Sequence, residues 1–256
     1  LKLTFIGTGS GKTSLKRFHS SILLSSSKTN LLIDSGDGIS KALLSCAVRF
    51  NDIDSILLTH LHADHYAGLP SLITQMKMNK RKNPLTIYLH KSLEETVKNF
   101  LLASYVFPER LGFEIDFKPI EANKNVSISD ELVFQLFPNS HLAELREFKK
   151  YSSLSYFAGS VLFSYKDKKV FYTSDLGSAA DLINPEIFGL NLIIIETTHL
   201  TPSELEKILT DLSPRSVIFT HISDGQESEL KTVQKNLVKK SSIKSFIAKD
   251  GQSFKI

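Results

Sequence analysis

Cysteine is almost absent from this chain: Cys46 is the single one in 256 residues. That excludes an internal disulfide and a structural zinc site built on several thiolates, and it agrees with a reducing compartment. Long apolar runs free of charge are missing too, so neither a membrane span nor a signal-peptide core is expected, and the protein is expected to be cytoplasmic. No stretch rich in Pro, Gly or Ser, no low-complexity tract and no repeat of solenoid period divides the sequence. A single domain over residues 1–256 is therefore expected, with 41% hydrophobic residues supplying a sizeable core. The sequence opens at Leu1 rather than Met, which leaves room for a few residues or a processed segment ahead of it. Surplus charge is also small: a net +4 does not by itself announce a nucleic-acid binder.

Against these absences stand eight histidines, three of them in the run Thr59-His60-Leu61-His62-Ala63-Asp64-His65, directly after the apolar Ile56-Leu57-Leu58. A fold with no use for clustered imidazoles would meet repeated costs of burying or charging them. If Ser55 to Leu58 is a strand, its end delivers His60 and His62 to one side, because side chains alternate with period two. Asp64 and His65 then come from the following turn and helix start, so one loop addresses two ions. Imidazole nitrogen and carboxylate oxygen without thiolate describe a catalytic site for a borderline metal, zinc first, with manganese or iron as alternatives. The plain alternative is a polar surface turn, and the inclusion of Asp64 at this spacing argues against it.

The pattern His60-x-His62-x-Asp64-His65 resembles the signature of the metallo-β-lactamase superfamily of hydrolases. Downstream, three apolar runs end in the residue types that family places next: Val133 to Phe137 before Pro138-Asn139-Ser140-His141, Lys169 to Thr173 before Ser174-Asp175, and Ser216 to Phe219 before Thr220-His221. Upstream, Asn30-Leu31-Leu32-Ile33-Asp34-Ser35-Gly36 resembles the family's first motif. The resemblance implies two divalent metal ions, one held by His60, His62 and His141, the second by Asp64, His65 and His221, with Asp175 and a hydroxide bridging them. Asp34 is implied to hydrogen-bond the ligand loop rather than touch metal. The implied fold is α/β, a four-layer αβ/βα sandwich of two mixed sheets flanked by helices.

Periodicity predicts strands near Leu3–Ile6, Ser21–Ser25, Asn30–Ile33, Ser55–Leu58, Leu85–Leu89, Glu114–Pro119, Val133–Phe137, Ser155–Gly159, Val161–Tyr165, Val170–Tyr172, Leu192–Ile195, Val217–Phe219 and Lys244–Ala248. Helices are predicted at Ile39–Phe50, Tyr66–Asn79, Ser92–Ser104, Pro202–Leu212 and Glu227–Lys240. The segment Gly7-Thr8-Gly9-Ser10-Gly11-Lys12-Thr13 matches the end of a phosphate loop, but that motif's first glycine would fall at Ile6. It reads instead as a turn after the first strand, either beside the active site or purely structural.

Within the superfamily, Ile195-Glu196-Thr197-Thr198-His199-Leu200-Thr201, the opening Phe5-Ile6-Gly7-Thr8-Gly9 and Gly68-Leu69-Pro70 resemble ribonuclease Z and its phosphodiesterase relatives. That branch implies that His199 meets the scissile phosphate or leaving oxygen, that Glu196 orients it, and that Asp64 joins them as a catalytic group; a local role for His199 at the start of the helix at Pro202 is the alternative. Lys77, Lys80, Arg81 and Lys82, with Lys149 and Lys150, form basic groups that either track phosphates or merely cap helices. The Gly/Pro-rich arm with which ribonuclease Z grips tRNA has no counterpart between His141 and Asp175. The expected function is thus a dinuclear phosphodiesterase or endoribonuclease, acting on RNA, a tRNA precursor or a cyclic nucleotide, with no membrane partner and with a homodimer left open. A lactonase or thioesterase on the same metals, with an apolar pocket lined by Phe107, Phe148 or Phe157, is the alternative; an inactive nucleic-acid-binding scaffold is the remote one.

Overall fold

A computed structural model describes residues 1–241 and 243–256. The chain forms two compact units, the first comprising 1–121, 153–157 and 249–256, the second 122–152 and 158–248. Each carries one seven-stranded sheet.

In the first unit, β1 (Lys2–Gly7), β2 (Ser21–Ser25) and β3 (Asn30–Ile33) run as an antiparallel meander. Then β4 (Ser55–Leu58), β5 (Leu85–His90) and β6 (Ile115–Ile120) continue the sheet in parallel from β3. The crossovers carry α1 (Ile39–Ser45), the single turn α2 (Ala63–Tyr66), α3 (Leu69–Met78) and α4 (Glu94–Ala103). Leu31-Leu32-Ile33 and Ser55-Ile56-Leu57-Leu58 are buried along their length, which explains why these strands read as unbroken apolar runs rather than alternating ones. Leu69, Leu72, Ile73 and Met76 recur at helical spacing on α3 and pack with Leu32, Leu58 and Ile87 in one core.

The second unit opens with β7 (Asn125–Ser129), β8 (Leu132–Pro138), β9 (Gly159–Tyr165) and β10 (Lys168–Tyr172), all antiparallel. It closes with the parallel β11 (Leu192–Glu196), β12 (Ser216–Thr220) and β13 (Lys244–Ile247). Between them, α5 (Pro202–Leu212) buries Leu205, Leu209 and Leu212, and α6 (Glu227–Ser241) buries Leu230, Val233 and Leu237, against Ile193, Ile195, Val217 and Phe219. Thr201 starts α5 with a reciprocal capping box to Glu204 and Pro202 follows at the first turn, so the helix needs no help from His199.

Several predicted boundaries shift for physical reasons. Ser155 to Ala158 is not strand; pairing with β8 starts only at Gly159. The helix predicted to reach Phe50 stops at Ser45, because Ala47 turns left-handed at φ 54°. The segment predicted as one helix from Tyr66 is two, broken where Gly68 N–H donates to Ser35 O at 2.9 Å and where any Cβ would collide with Gly36 O. Two short strands escaped prediction: β7, which alternates polar residues with only Val126 and Ile128, and β14 (Ser253–Lys255), which pairs with β1 across the whole length of the chain. Among the described residues no helix is long and apolar enough to cross a membrane.

Arg81 does not belong to the basic surface group. It is 3% exposed, donates to the carbonyls of Ile53, Asn83 and Pro84 at 2.8, 2.7 and 2.6 Å, and sits over the Phe113 ring. Burial pulls its pKa below the ordinary guanidinium value, with Asp54 opposing. Lys80 and Lys82 remain exposed. Arg81→Ala should therefore cost about 2–4 kcal/mol in chemical denaturation, since it strands three carbonyls and uncovers a ring; a loss below about 0.5 kcal/mol, as for a solvated lysine, would refute this placement.

Candidate metal centre

In the first unit the candidate ligands follow β4. Thr59 and His60 follow the strand, and the one-turn α2, closed by His65 N–H and Tyr66 N–H donating to His62 O at 2.8 and 3.2 Å, delivers Asp64 and His65. The His60 ring centroid lies 4.9 Å from that of His62 and 4.1 Å from that of His65. His60 and His65 are fully buried and Asp64 nearly so.

Asp34, at the end of β3, organises this group. It holds a left-handed backbone (φ 60°) and is completely buried. Its carboxylate accepts from Thr59 N at 2.9 Å, from Thr59 Oγ1 at 2.9 Å and from His65 Nδ1 at 2.8 Å. Burial pushes its pKa up, while the contact with His65 and the bonds from Thr59 work the other way. Because a carboxylate only accepts, His65 carries its proton on Nδ1 and keeps a lone pair on Nε2. The Thr59 hydroxyl spends its proton on Asp34, so at 3.2 Å it accepts from His60 Nδ1, which leaves a lone pair on His60 Nε2 as well. One carboxylate thus fixes the tautomer of two candidate ligands. Ser35 N–H donating to His65 O at 2.7 Å and the lack of room for a Cβ at Gly36, which abuts Asp64 O, lock the two loops together.

The second unit builds its group from four strand ends. Asn139, after β8, donates through Nδ2 to Asp175 O at 2.9 Å and accepts at Oδ1 from His141 N at 3.2 Å, tying the His141 and Asp175 loops. Asp181 adds a second tie, accepting from Ser140 N at 3.0 Å and Gly177 N at 2.9 Å. Asp175 follows β10 and a left-handed Ser174 (φ 50°); His221 follows β12 and is itself left-handed (φ 53°). The two carboxylate oxygens of Asp175 face different histidines: Oδ2 stands 3.6 Å from His141 Nε2 and Oδ1 3.4 Å from His221 Nε2.

Glu196, at the end of β11 and fully buried, repeats the Asp34 device. Its Oε2 accepts from Thr198 N at 2.6 Å, Thr198 Oγ1 at 3.0 Å and His199 N at 3.1 Å. The Thr198 hydroxyl in turn accepts from His221 Nδ1 at 2.8 Å, freeing His221 Nε2 for a ligand role. The other oxygen, Oε1, lies 3.3 Å from His199 Nδ1. The His199 ring is 36% exposed, with its centroid 4.7 Å from that of His141. The sequence alone assigns no role to Thr59, Thr198, Asn139 and Asp181; for the threonines the signal is their place two residues after Glu196 and one before His60.

The donor set fits a divalent transition ion. Bonds of 2.0–2.1 Å in a tetrahedron place neighbouring ligand atoms about 3.3–3.4 Å apart. Within the units, His65 Nε2 to Asp64 Oδ2 is 3.5 Å, and the two Asp175 separations are 3.6 and 3.4 Å. These spacings are long for a hydrogen bond and right for atoms that share a cation.

A family model described as the anti-Pycsar protein Apyc1 matches residues 1–243. Ribonuclease Z of Clostridium novyi (strain NT) is 29% identical over 147 residues, 55% of this chain and 47% of that one. Ribonuclease Z of Pyrococcus abyssi is 36% identical over 108 residues, 42% of this chain and 35% of that one. The chain thus spans less than half the length of these curated relatives. Among solved structures, YhfI of Bacillus subtilis, a metallo-β-lactamase fold protein, superposes with a TM-score of 0.79 at 18% identity, over 99% of this chain and 98% of that one. Human tRNase Z, short form, gives 0.73 at 19% identity, over 100% and 99%. A diphosphatase from the PhnP family gives 0.69 at 18% identity, over 100% and 97%. At such identities the likeness is one of fold, and the fold is the one that the histidine motif implied: α/β, with two mixed sheets and flanking helices.

Asp34→Asn keeps the shape but replaces an acceptor-only carboxylate by an amide that also donates. It should weaken zinc binding by about 10–100-fold in competition with a chelator. An unchanged affinity would mean that the tautomers of His60 and His65 are set by something else.

Proposed function

Because the chain belongs to the family of the anti-Pycsar protein Apyc1, we propose that it is a dinuclear metal-dependent hydrolase that cleaves phosphodiesters, with a cyclic nucleotide as the favoured substrate class. The family match spans nearly the whole chain, whereas the ribonuclease Z similarity covers about half of it, which favours a small phosphodiester over precursor tRNA. The observation that carries the dinuclear reading is Asp175, whose two oxygens are divided between His141 and His221. One ion is assigned to His60, His62 and His141, the other to Asp64, His65 and His221, with Asp175 common to both. Residues 1–256 are proposed to act as one catalytic domain. Zinc suits the donor atoms, with manganese or iron as substitutes.

Two ions bound there supply Lewis acidity, bringing the pKa of water towards neutrality and drawing charge from phosphoryl oxygens. The chain's own groups do the rest. Asp64, facing His65 Nε2, serves as ligand and as acceptor for the proton of the attacking water. The Thr198 hydroxyl, 3.2 Å from His199 Nδ1, accepts the proton of that nitrogen, the Glu196 carboxylate 3.3 Å away favours its retention there, and Nε2 is left to face the substrate. From there His199 donates to a phosphoryl oxygen or to the departing alkoxide. Asp34 and, through Thr198, Glu196 keep the histidines in register. The acyl-hydrolase alternative called on Phe107, Phe148 or Phe157 for an apolar pocket. His90 stacks on the Phe157 face at 3.8 Å, Tyr105 meets Phe107 edge-on at 6.0 Å, and Phe148 is exposed.

The experiment is a substrate panel on metal-loaded protein: cyclic AMP, a 3′-extended tRNA precursor, bis(p-nitrophenyl) phosphate and an acyl lactone. His199→Ala should keep its metal while kcat on cyclic AMP falls by roughly 10²–10⁴-fold. The fall should be smaller with p-nitrophenolate, a leaving group that needs little protonation. A wild-type rate for His199→Ala on cyclic AMP, or a wild type that prefers the lactone to every phosphodiester, would replace this reading by the acyl-hydrolase one.

A further inference from the structure

Asn139 is not alone among the side-chain amides in tying two loops of the second unit together. Gln226 does the same for the turn after β11 and the turn after β12: its Oε1 accepts from Ser223 N at 2.8 Å and its Nε2 donates to Thr197 O at 3.0 Å. Gln226 precedes α6 and closes a four-residue turn, its backbone N–H donating to Ser223 O at 3.2 Å, with Gly225 left-handed (φ 93°) at the third position. A side chain placed there to cap α6 would accept from N–H groups in the first turn of the helix. This one reaches back to Ser223 and across to Thr197 instead. Thr197 is buried, and its hydroxyl donates to His221 O at 3.2 Å, a second link between the same two turns.

The bond to Thr197 O acts on the functional groups through one rigid plane. In a trans peptide the carbonyl and the following N–H point in opposite directions, so fixing one aims the other. Gln226 holds the carbonyl of the 197–198 peptide, and on the far side Thr198 N donates to Glu196 Oε2 at 2.6 Å. The Thr198 hydroxyl is fully used: its proton goes to Glu196 Oε2 at 3.0 Å, and its two lone pairs accept from His221 Nδ1 at 2.8 Å and His199 Nδ1 at 3.2 Å. One hydroxyl thus decides which nitrogen stays free on both rings, and its place depends on the peptide that Gln226 grips. His221 has a further restraint at its carbonyl, from Thr197. His199 lies outside the ligand set assigned above and is 36% exposed, so a tilt of the 197–198 peptide falls on His199 first.

We infer that Gln226 is a positioning residue for His199. It holds the 197–198 peptide at the angle at which Thr198 and Glu196 keep a proton on His199 Nδ1, so that Nε2 is the nitrogen that gains and gives up a proton. Without the bond to Thr197 O the plane tilts, Thr198 Oγ1 leaves the point from which it serves both rings, and His199 divides between its two tautomers. The inference rests on the phosphodiesterase reading above and adds to it a residue that acts through Thr198.

The test compares zinc-loaded wild type with Gln226→Met and Gln226→Glu. Methionine keeps the length of the side chain and makes neither bond. Glutamate still accepts from Ser223 N but sets an acceptor against Thr197 O, so its effect belongs to the Thr197 bond alone. The readouts are kcat and KM on cyclic AMP and on bis(p-nitrophenyl) phosphate, zinc content, and the protonated nitrogen of the His199 ring, read from long-range nitrogen–proton spectra at about pH 8, where an imidazole is neutral. Both variants should lower kcat on cyclic AMP by about 10–100-fold, the usual effect of losing an outer partner, with KM and zinc content unchanged. The fall should be smaller with bis(p-nitrophenyl) phosphate, whose leaving group needs little protonation, and the His199 spectrum should pass from one tautomer to a mixture. Equal falls on both substrates together with lost zinc would mark a residue that only holds the fold, and would overturn the inference. So would a loss confined to Gln226→Met, which would assign the effect to the turn at Ser223, or a kcat and a His199 spectrum left as in wild type. A wild type that cleaves no phosphodiester would sink the functional reading, while the His199 spectrum would still decide whether Gln226 positions the ring.

Discussion

The Asp34 carboxylate accepts one proton from His65 directly and is linked to a second, on His60, through the Thr59 hydroxyl. In a buried site such bonds strengthen one another, and each fixes which ring nitrogen keeps its lone pair. Without this arrangement the buried imidazoles would be free to choose tautomers, and the ligand set would have no defined face. Glu196 reaches the same end in the other unit, through Thr198 to His221. The two relays share a logic of carboxylate, threonine hydroxyl and imidazole Nδ1, although their spacings in the sequence differ. Thr59 adjoins His60, whereas Thr198 and His221 come from neighbouring parallel strands, β11 and β12.

Parallel strands deliver these groups because their carboxyl ends open onto the same edge of each sheet. Asp34 follows β3, His60 follows β4, Asp175 follows β10, Glu196 ends β11 and His221 follows β12. At three of these ends the chain enters the left-handed region with a non-glycine residue: Asp34, Ser174 and His221. Each such residue costs of order 1–3 kcal/mol and persists only where its surroundings over-determine it. For Asp34 the surroundings are the Thr59 and His65 bonds; for His221 they include Thr198 at its ring and Thr197 Oγ1 donating to its carbonyl at 3.2 Å. The strain is thus held by the same bonds that orient the ligands.

The candidate ligands were legible in the sequence because each sits in a short local pattern, an apolar strand followed by a polar turn. The groups that orient them were not, because a relay from β3 to the loop after β4, or from β11 to the loop after β12, exists only once the strands pair. Asn139 was visible beside His141 yet silent, since its bond to Asp175 O spans two strand ends. Arg81 was misread for a related reason: a run of basic residues looks solvated in one dimension, and only the fold supplies three carbonyls and a ring to receive the guanidinium. β14 lay beyond reach because three residues with one apolar side chain acquire strand character from β1 rather than from their own propensity.

The claim on which the rest turns is that Asp175 holds two ions through its separate oxygens. Elemental analysis of protein reconstituted with zinc and freed of excess metal tests it most directly, in wild type and in Asp175→Ala. The account predicts two ions per chain in wild type and the loss of at least one in the variant. A single ion in wild type, or two retained without Asp175, would contradict it.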